Sequence, residues 1–177
     1  NTALAKKYGV AYLYHEAGSI DAAANVISSG ELLATTNRYG RGIIAKGASS
    51  SADIKSGGAD NVFTRIVFNN QVGNEYRYQS FDPKALERTD WYAYTSDEFG
   101  TTISSTFYNR YGTEDHLRKS KKTYRGSNEL LFRKTLPLDT LKEVRVPSSD
   151  VQPLINKLHS MGITHVNGTK IENLIKI

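Results

Sequence analysis

The chain predicts an α+β fold on a largely antiparallel sheet, and three observations carry that expectation. Strand-length runs of β-branched and aromatic residues recur in the middle and late chain, at 62–68, across 90–107 and at 129–133. Capped stretches with helical periodicity stand early and late, at 19–30 and 150–162. Asn167-Gly168 sits between two short β-like segments, the pattern of a type I′ hairpin.

The elements follow in order. Val10-Ala11-Tyr12-Leu13-Tyr14-His15 is β-rich and reads as a first buried strand. Ser19 is placed to cap a helix with Ile20, Ala23, Ala24 and Ile27 on one face, and Gly30 is placed to end it at C′. Residues 35–60 are rich in Gly, Ser, Asn and Ala. A loop of that length in a compact domain is more often functional than idle. The clearest strand is 62–68. Its alternation sets Val62, Thr64, Ile66 and Phe68 on one face and Phe63, Arg65 and Val67 on the other. Two further strands are expected within 90–107, broken by Gly100, and then a polar, basic segment over 109–127. Residues 129–133 read as a strand, and 137–146 as a turn, a short helix and another strand. Asp150 is expected to cap a last helix, with Pro153 at its third position and an apolar stripe of Val151, Leu154, Ile155, Leu158 and Met161.

Composition bounds the function. At 177 residues, 38% hydrophobic and 23% charged, the chain has the make-up of one globular domain. No apolar run reaches the ~18–20 residues of a bilayer span, and the first residues lack the pattern of a signal peptide. The start at Asn1 reads as a domain excised from a longer chain, with any targeting segment upstream of it. With no cysteine, disulfide scaffolds, Cys-ligated zinc and thiol catalysis are excluded. The four histidines (His15, His116, His159, His165) are scattered without metal-ligand spacing, so no metal site is expected. Neither a Walker loop nor a dinucleotide fingerprint is present. A net charge of +5 favours acidic or phosphate-bearing partners.

Four segments stand out together: Tyr14-His15, Tyr39-Gly40-Arg41-Gly42-Ile43, Ser49-Ser50-Ser51-Ala52-Asp53 leading into the 62–68 strand, and Asn128-Glu129-Leu130-Leu131-Phe132. In that order they resemble the signature of the ADP-ribosyltransferase superfamily, in its His–Tyr–Glu branch of diphtheria-type toxins and poly(ADP-ribose)-polymerase-like enzymes. The resemblance spans 12–146. The chain departs from the pattern at Glu16, where the family has glycine, and at Ile44, where it has an aromatic. Ser104-Ser105-Thr106 imitates the Arg–Ser–Glu branch, but the first strand offers no arginine.

The resemblance implies split antiparallel sheets with flanking helices, one catalytic domain over 1–177 with 148–177 as an added cap, and NAD as a substrate. It implies mono-ADP-ribosyl transfer to a macromolecular acceptor, protein or nucleic acid, by a bacterial toxin or effector that an immunity protein could oppose. Glu129 would be the catalytic carboxylate; the bland alternative is an edge-strand glutamate on a solvated face. His15 would bind the adenosine-side ribose, and the alternative is a histidine satisfied at a strand end. Tyr39, with Gly40 and Arg41 beside it, would supply the stacking ring for nicotinamide, a role that Tyr92, Tyr94 or Phe63 could also fill. Arg41 and Ser49 would touch a phosphate or ribose. Arg65, in an apolar strand, must reach a carboxylate, phosphate or water, most simply in a structural ion pair. The segment 117–125 carries five cations and Tyr124 just before Glu129, suited to an acceptor bearing phosphate or acidic groups.

Two other classes fit the residues. One is a metal-independent ribonuclease using His15, His116, lysine and glutamate for acid–base cleavage. The other is a non-catalytic nucleic-acid-binding module built on the basic segment and surface tyrosines.

Overall fold

The structure is a computed structural model, and it describes residues 1–34, 61–69, 78–88, 91–94, 113–121 and 129–177. Helix α1 (Thr2–Tyr8) leads into strand β1 (Val10–Glu16), helix α2 (Ile20–Ser29) and the short strand β2 (Glu31–Leu33). Next come β3 (Asn61–Phe68), β4 (Tyr78–Phe81), a 3-10 turn (Pro83–Glu87) and β5 (Trp91–Tyr94). Helix α3 (Thr113–Ser120) precedes β6 (Glu129–Arg133), β7 (Thr135–Pro137), a second 3-10 turn (Leu138–Thr140) and β8 (Leu141–Arg145). Helix α4 (Ser148–Ser160), hairpin strands β9 (His165–Val166) and β10 (Thr169–Lys170), helix α5 (Ile171–Leu174) and β11 (Ile175–Lys176) close the chain.

Seven strands join in the order β11-β8-β4-β1-β3-β6-β5. Every pairing among them is antiparallel except β11 on β8. The expected α+β class is the observed one. Strand β2 pairs separately with β7, extended by the Ala34 N–H to the Lys134 carbonyl at 2.7 Å.

Local chemistry explains most boundaries. The Ser19 hydroxyl accepts from the Ala22 N–H at 3.0 Å and starts α2, and Gly30 at φ 78° ends it in a conformation that a Cβ disfavours. Asn167 at φ 51° and Gly168 at φ 77° form the tight turn between β9 and β10, as an Asn-Gly pair predicts. Strand β3 alternates as its sequence implies through Ile66, with Val62, Thr64 and Ile66 buried and Phe63 and Arg65 half-buried, but Val67 on the second face is buried together with Phe68.

Two sequence expectations are corrected. Within the basic segment 109–127, residues Thr113–Ser120 are helical. Glu114 and Asp115 occupy the first turn, where carboxylates complement the helix dipole, and Leu117 is the buried apolar anchor. One anchor in so polar a stretch leaves no periodicity to read. The Glu114 carboxylate ties α3 to α1, accepting from Lys7 Nζ at 2.7 Å and Tyr8 OH at 2.9 Å. The hydrogen bond from Lys7 leads in holding its carboxyl below the ordinary range. The last helix begins at Ser148, directly after Pro147. Asp150 therefore lies in its first turn without capping it, and Pro153 sits inside the helix rather than at its third position. Leu154, Ile155 and Leu158 are buried as expected, while Met161 is the C-cap residue with its side chain exposed.

One hydrophobic cluster unites Ala5, Leu13, Ala24, Ile27, Phe81, Phe132, Leu154, Leu158, Leu174 and Ile175. Helix α2 packs on α4, and β11 adds a strand to β8, so residues from 148 onward share the sheet and core of the rest. The second strand expected within 90–107 falls outside the described residues beyond Tyr94.

Candidate functional site

The site is set by how β3 divides its partners. Its first half pairs with β6, from Asn61↔Arg133 to Thr64↔Leu130. Its second half pairs with β1, from Phe68↔Val10 to Arg65↔Tyr14. Beyond Tyr14 strand β1 stays with β4, through His15↔Gln79 and Glu16↔Tyr78. The sheet therefore opens between β1 and β3 at His15, and two smaller sheets diverge from a shared strand.

Main-chain groups along a strand point alternately to its two neighbours. At the opening the ladder with β1 has ended, and the Phe63 carbonyl is taken by a side chain: His15 Nδ1 lies 2.7 Å from it. A carbonyl only accepts, so the nitrogen facing it carries the proton. The half-buried imidazole is thereby turned into the seam between the two strands.

Glu129 is the first residue of β6 and is half-buried. Strand β6 is paired on both sides, with β3 and with β5, so Glu129 is not on an edge strand. Its cross-strand partner on β5 is Tyr94. Extending the β3–β6 ladder by one residue sets Glu129 opposite Arg65, which is itself paired with Tyr14. Tyr14, Arg65 and Glu129 thus stand in one row on one face of three adjacent strands. Alternation assigns His15 to the other face, and its bond to the Phe63 carbonyl turns the ring toward the opening. With strands about 4.8 Å apart, β1 and β6 lie roughly 10 Å apart across β3.

Tyr14 of this row packs edge-to-face with Tyr12, with ring centroids 6.4 Å apart and an interplanar angle of 69°. On the buried face, the Thr64 hydroxyl donates to the Leu130 carbonyl at 2.7 Å, beside Glu129. Gln79, the partner of His15 on β4, is fully buried, and neither of its amide atoms has a hydrogen-bond partner among the described residues.

The structure places His15 and Glu129 on the two strands that flank β3, His15 where β1 leaves β3 and Glu129 one residue past the last β3–β6 rung. Tyr39, Gly40, Arg41 and Ser49 lie outside the described residues, as do Asn128 and most of the basic segment's second half. Tyr14, Thr64 and Gln79 were missed as site residues. The signal for Thr64 was present, since it is the one polar residue on the buried face of an apolar strand. Among the described residues, no group of three or more metal-ligating side chains converges, and no helix is long and apolar enough to cross a membrane.

Solved structures share this architecture. Thermosipho africanus DarTG, in complex with ADP-ribose, matches with a TM-score of 0.62 at 11% identity over 94% of this chain and 49% of that one. The chain has the ADP-ribosyltransferase-like fold. Thermus sp. 2.9 DarT in complex with ADP-ribosylated ssDNA matches with a TM-score of 0.54 at 11% identity, covering 92% of this chain and 94% of that one. The same DarT in complex with NAD+ matches with a TM-score of 0.52 at 12% identity, covering 94% of each chain. The chain spans about half the length of the DarTG chain. No family model matches it, and no curated protein sequence does. The likeness is one of fold.

Proposed function

We propose that the chain cleaves NAD+ at its nicotinamide–ribose bond and transfers ADP-ribose to a macromolecular acceptor. The observation that carries this reading is the opening of the sheet, with an imidazole in the seam on one side and Glu129 at the head of a doubly paired strand on the other. The fold it shares with a DarT–NAD+ complex over 94% of its length supports it.

The chemistry asks little covalent work of the protein. Nicotinamide leaves as a neutral molecule, and positive charge develops on the ribose. A carboxylate at Glu129 stabilises that charge and accepts a hydrogen bond from the ribose 2′-hydroxyl. Holding the dinucleotide bent supplies the rest, because a fixed geometry removes the entropy of finding it. His15 acts as a binding group. With its Nδ1 proton committed to Phe63, the neutral ring presents Nε2 as an acceptor for an adenosine-side ribose hydroxyl. Tyr39, Arg41 and Ser49 keep their proposed roles toward nicotinamide, phosphate and ribose. Residues 1–177 act as one catalytic unit, for which the single core from Ala5 to Ile175 is the support.

For the acceptor, nucleic acid is the first class to test. A DarT neighbour is complexed with ADP-ribosylated ssDNA, and this chain carries +5 net charge with Arg118 and Lys121 exposed on and after α3. A role as the toxin or effector part of a longer chain fits this activity. The test is mass spectrometry of reactions containing NAD+, single-stranded DNA, RNA and cell lysate. An ADP-ribose adduct on any of them is the expected result. Free ADP-ribose alone would reduce the activity to NAD hydrolysis, and intact NAD+ would remove the reading.

A further inference from the structure

We propose that Thr64 is a positioning residue for the Glu129 carboxylate, an inference that rests on the reading of Glu129 given above. Thr64 is 2% exposed, and its hydroxyl donates to the carbonyl of Leu130 at 2.7 Å. Thr64↔Leu130 is also the last rung of the β3–β6 ladder, so Glu129 stands one residue past the end of its pairing with β3. Strand ends fray first, because the final residue is held from one side only. Glu129 keeps its rung with Tyr94 on β5, and on the β3 side the last rung is that of its neighbour Leu130. A second donor on that terminal carbonyl, from a side chain with a stiff χ1, supplies the constraint.

The neighbouring residue does the matching work on the other side. The Phe63 carbonyl holds the His15 ring, and the Thr64 hydroxyl holds the residue after Glu129. Two consecutive residues of β3 therefore set the spacing between the two groups that face the opening. In electrostatic catalysis the carboxylate must already be in place when charge develops, and an error on the order of 1 Å can cost about 10²-fold in rate. Loss of one constraint at a strand that keeps its other rungs falls short of that, at about tenfold.

The test uses nicotinamide release under steady-state conditions by the full chain and by Thr64→Val, Thr64→Ser and Glu129→Gln. Valine preserves the β-branched shape and removes only the hydroxyl, whereas serine keeps the donor. Thr64→Val is expected to lower kcat about tenfold with KM for NAD+ within twofold, and Thr64→Ser to stay within twofold of the parent. A Thr64→Val protein with the parent's kcat overturns the assignment. So does a Thr64→Ser protein as impaired as the valine variant, or a loss confined to KM. If the valine variant does not fold, Thr64→Ala takes its place with the same expectations. A parent protein that releases no nicotinamide sinks the proposed function and this role with it. Turnover that survives Thr64→Val but not Glu129→Gln removes the Thr64 role alone.

Discussion

Along β1, Leu13 and Tyr14 are paired on both sides, with β3 and with β4, while His15 and Glu16 keep only β4. One residue separates a strand interior from the lip of an opening. At the closed end, Leu13 is fully buried in the core and has strand partners on both sides, Ile66 and Phe81. At the open end the Phe63 carbonyl bonds a side chain, and the half-buried groups are His15, Arg65 and Glu129. Ending a ladder thus does two things together: it makes a gap, and it leaves main-chain groups that side chains must satisfy, which orients those side chains.

That contrast can be broken by variants at either end. The largest expected effect is at the opening. Glu129→Gln keeps the shape and removes the charge, so nicotinamide release should fall by about 10²–10³-fold. NAD+ binding by calorimetry should change little, and a variant with normal turnover would return Glu129 to an ordinary strand residue. At the closed end, Leu154→Ala in α4 removes a fully buried side chain and should cost about 2–5 kcal/mol in denaturant unfolding. Turnover per folded molecule should be preserved there, and a specific loss of kcat would mean that the two ends are not separable. His15→Ala comes next. Losing one hydrogen bond to the ligand should weaken NAD+ binding about tenfold while the saturated rate falls less. An unchanged affinity would leave His15 only its structural bond to Phe63.

Gln79 sharpens the comparison from within the sheet. Its buried carboxamide has no hydrogen-bond partner among the described residues, so Gln79→Met, of similar volume, should raise stability by about 1–3 kcal/mol. Lower stability in chemical unfolding would show that the amide is satisfied in solution. The smallest effect is at Glu87, in the 3-10 turn after β4. Its carboxyl is pulled from 4.5 down to about 2, first by the Thr2 hydroxyl, then by the Thr2 N–H and the Asn1 amine. A carboxyl depressed on folding adds stability above its unfolded value and loses it as pH falls through the folded one. Thermal unfolding of the parent should therefore decline between about pH 4.5 and 2, and Glu87→Gln should flatten part of that slope.

The elements with local signals were legible before any coordinates. Ser19 and Gly30 bound α2, Asn167-Gly168 makes the hairpin, and alternation in β3 places Thr64 inside and Arg65 half-out, because each depends on a few neighbouring residues. Helix α3 was not legible, since its stability comes from Leu117 and from a carboxylate bridged to α1, contacts distant in the chain. The start of α4 was misplaced for a related reason. Asp150 is a good capping residue, but the end of β8 and Pro147 put the helix start at Ser148.

For the site, the sequence by itself determined the residue types, their order and the strands that carry them, including His15 at the end of β1 and Glu129 at the start of β6. Only the tertiary structure decided that β3 exchanges one partner for the other between Thr64 and Arg65, and so that these two groups stand where the two ladders end. Register is a property of pairs of strands far apart in the chain. No single strand encodes where its ladder with another will stop.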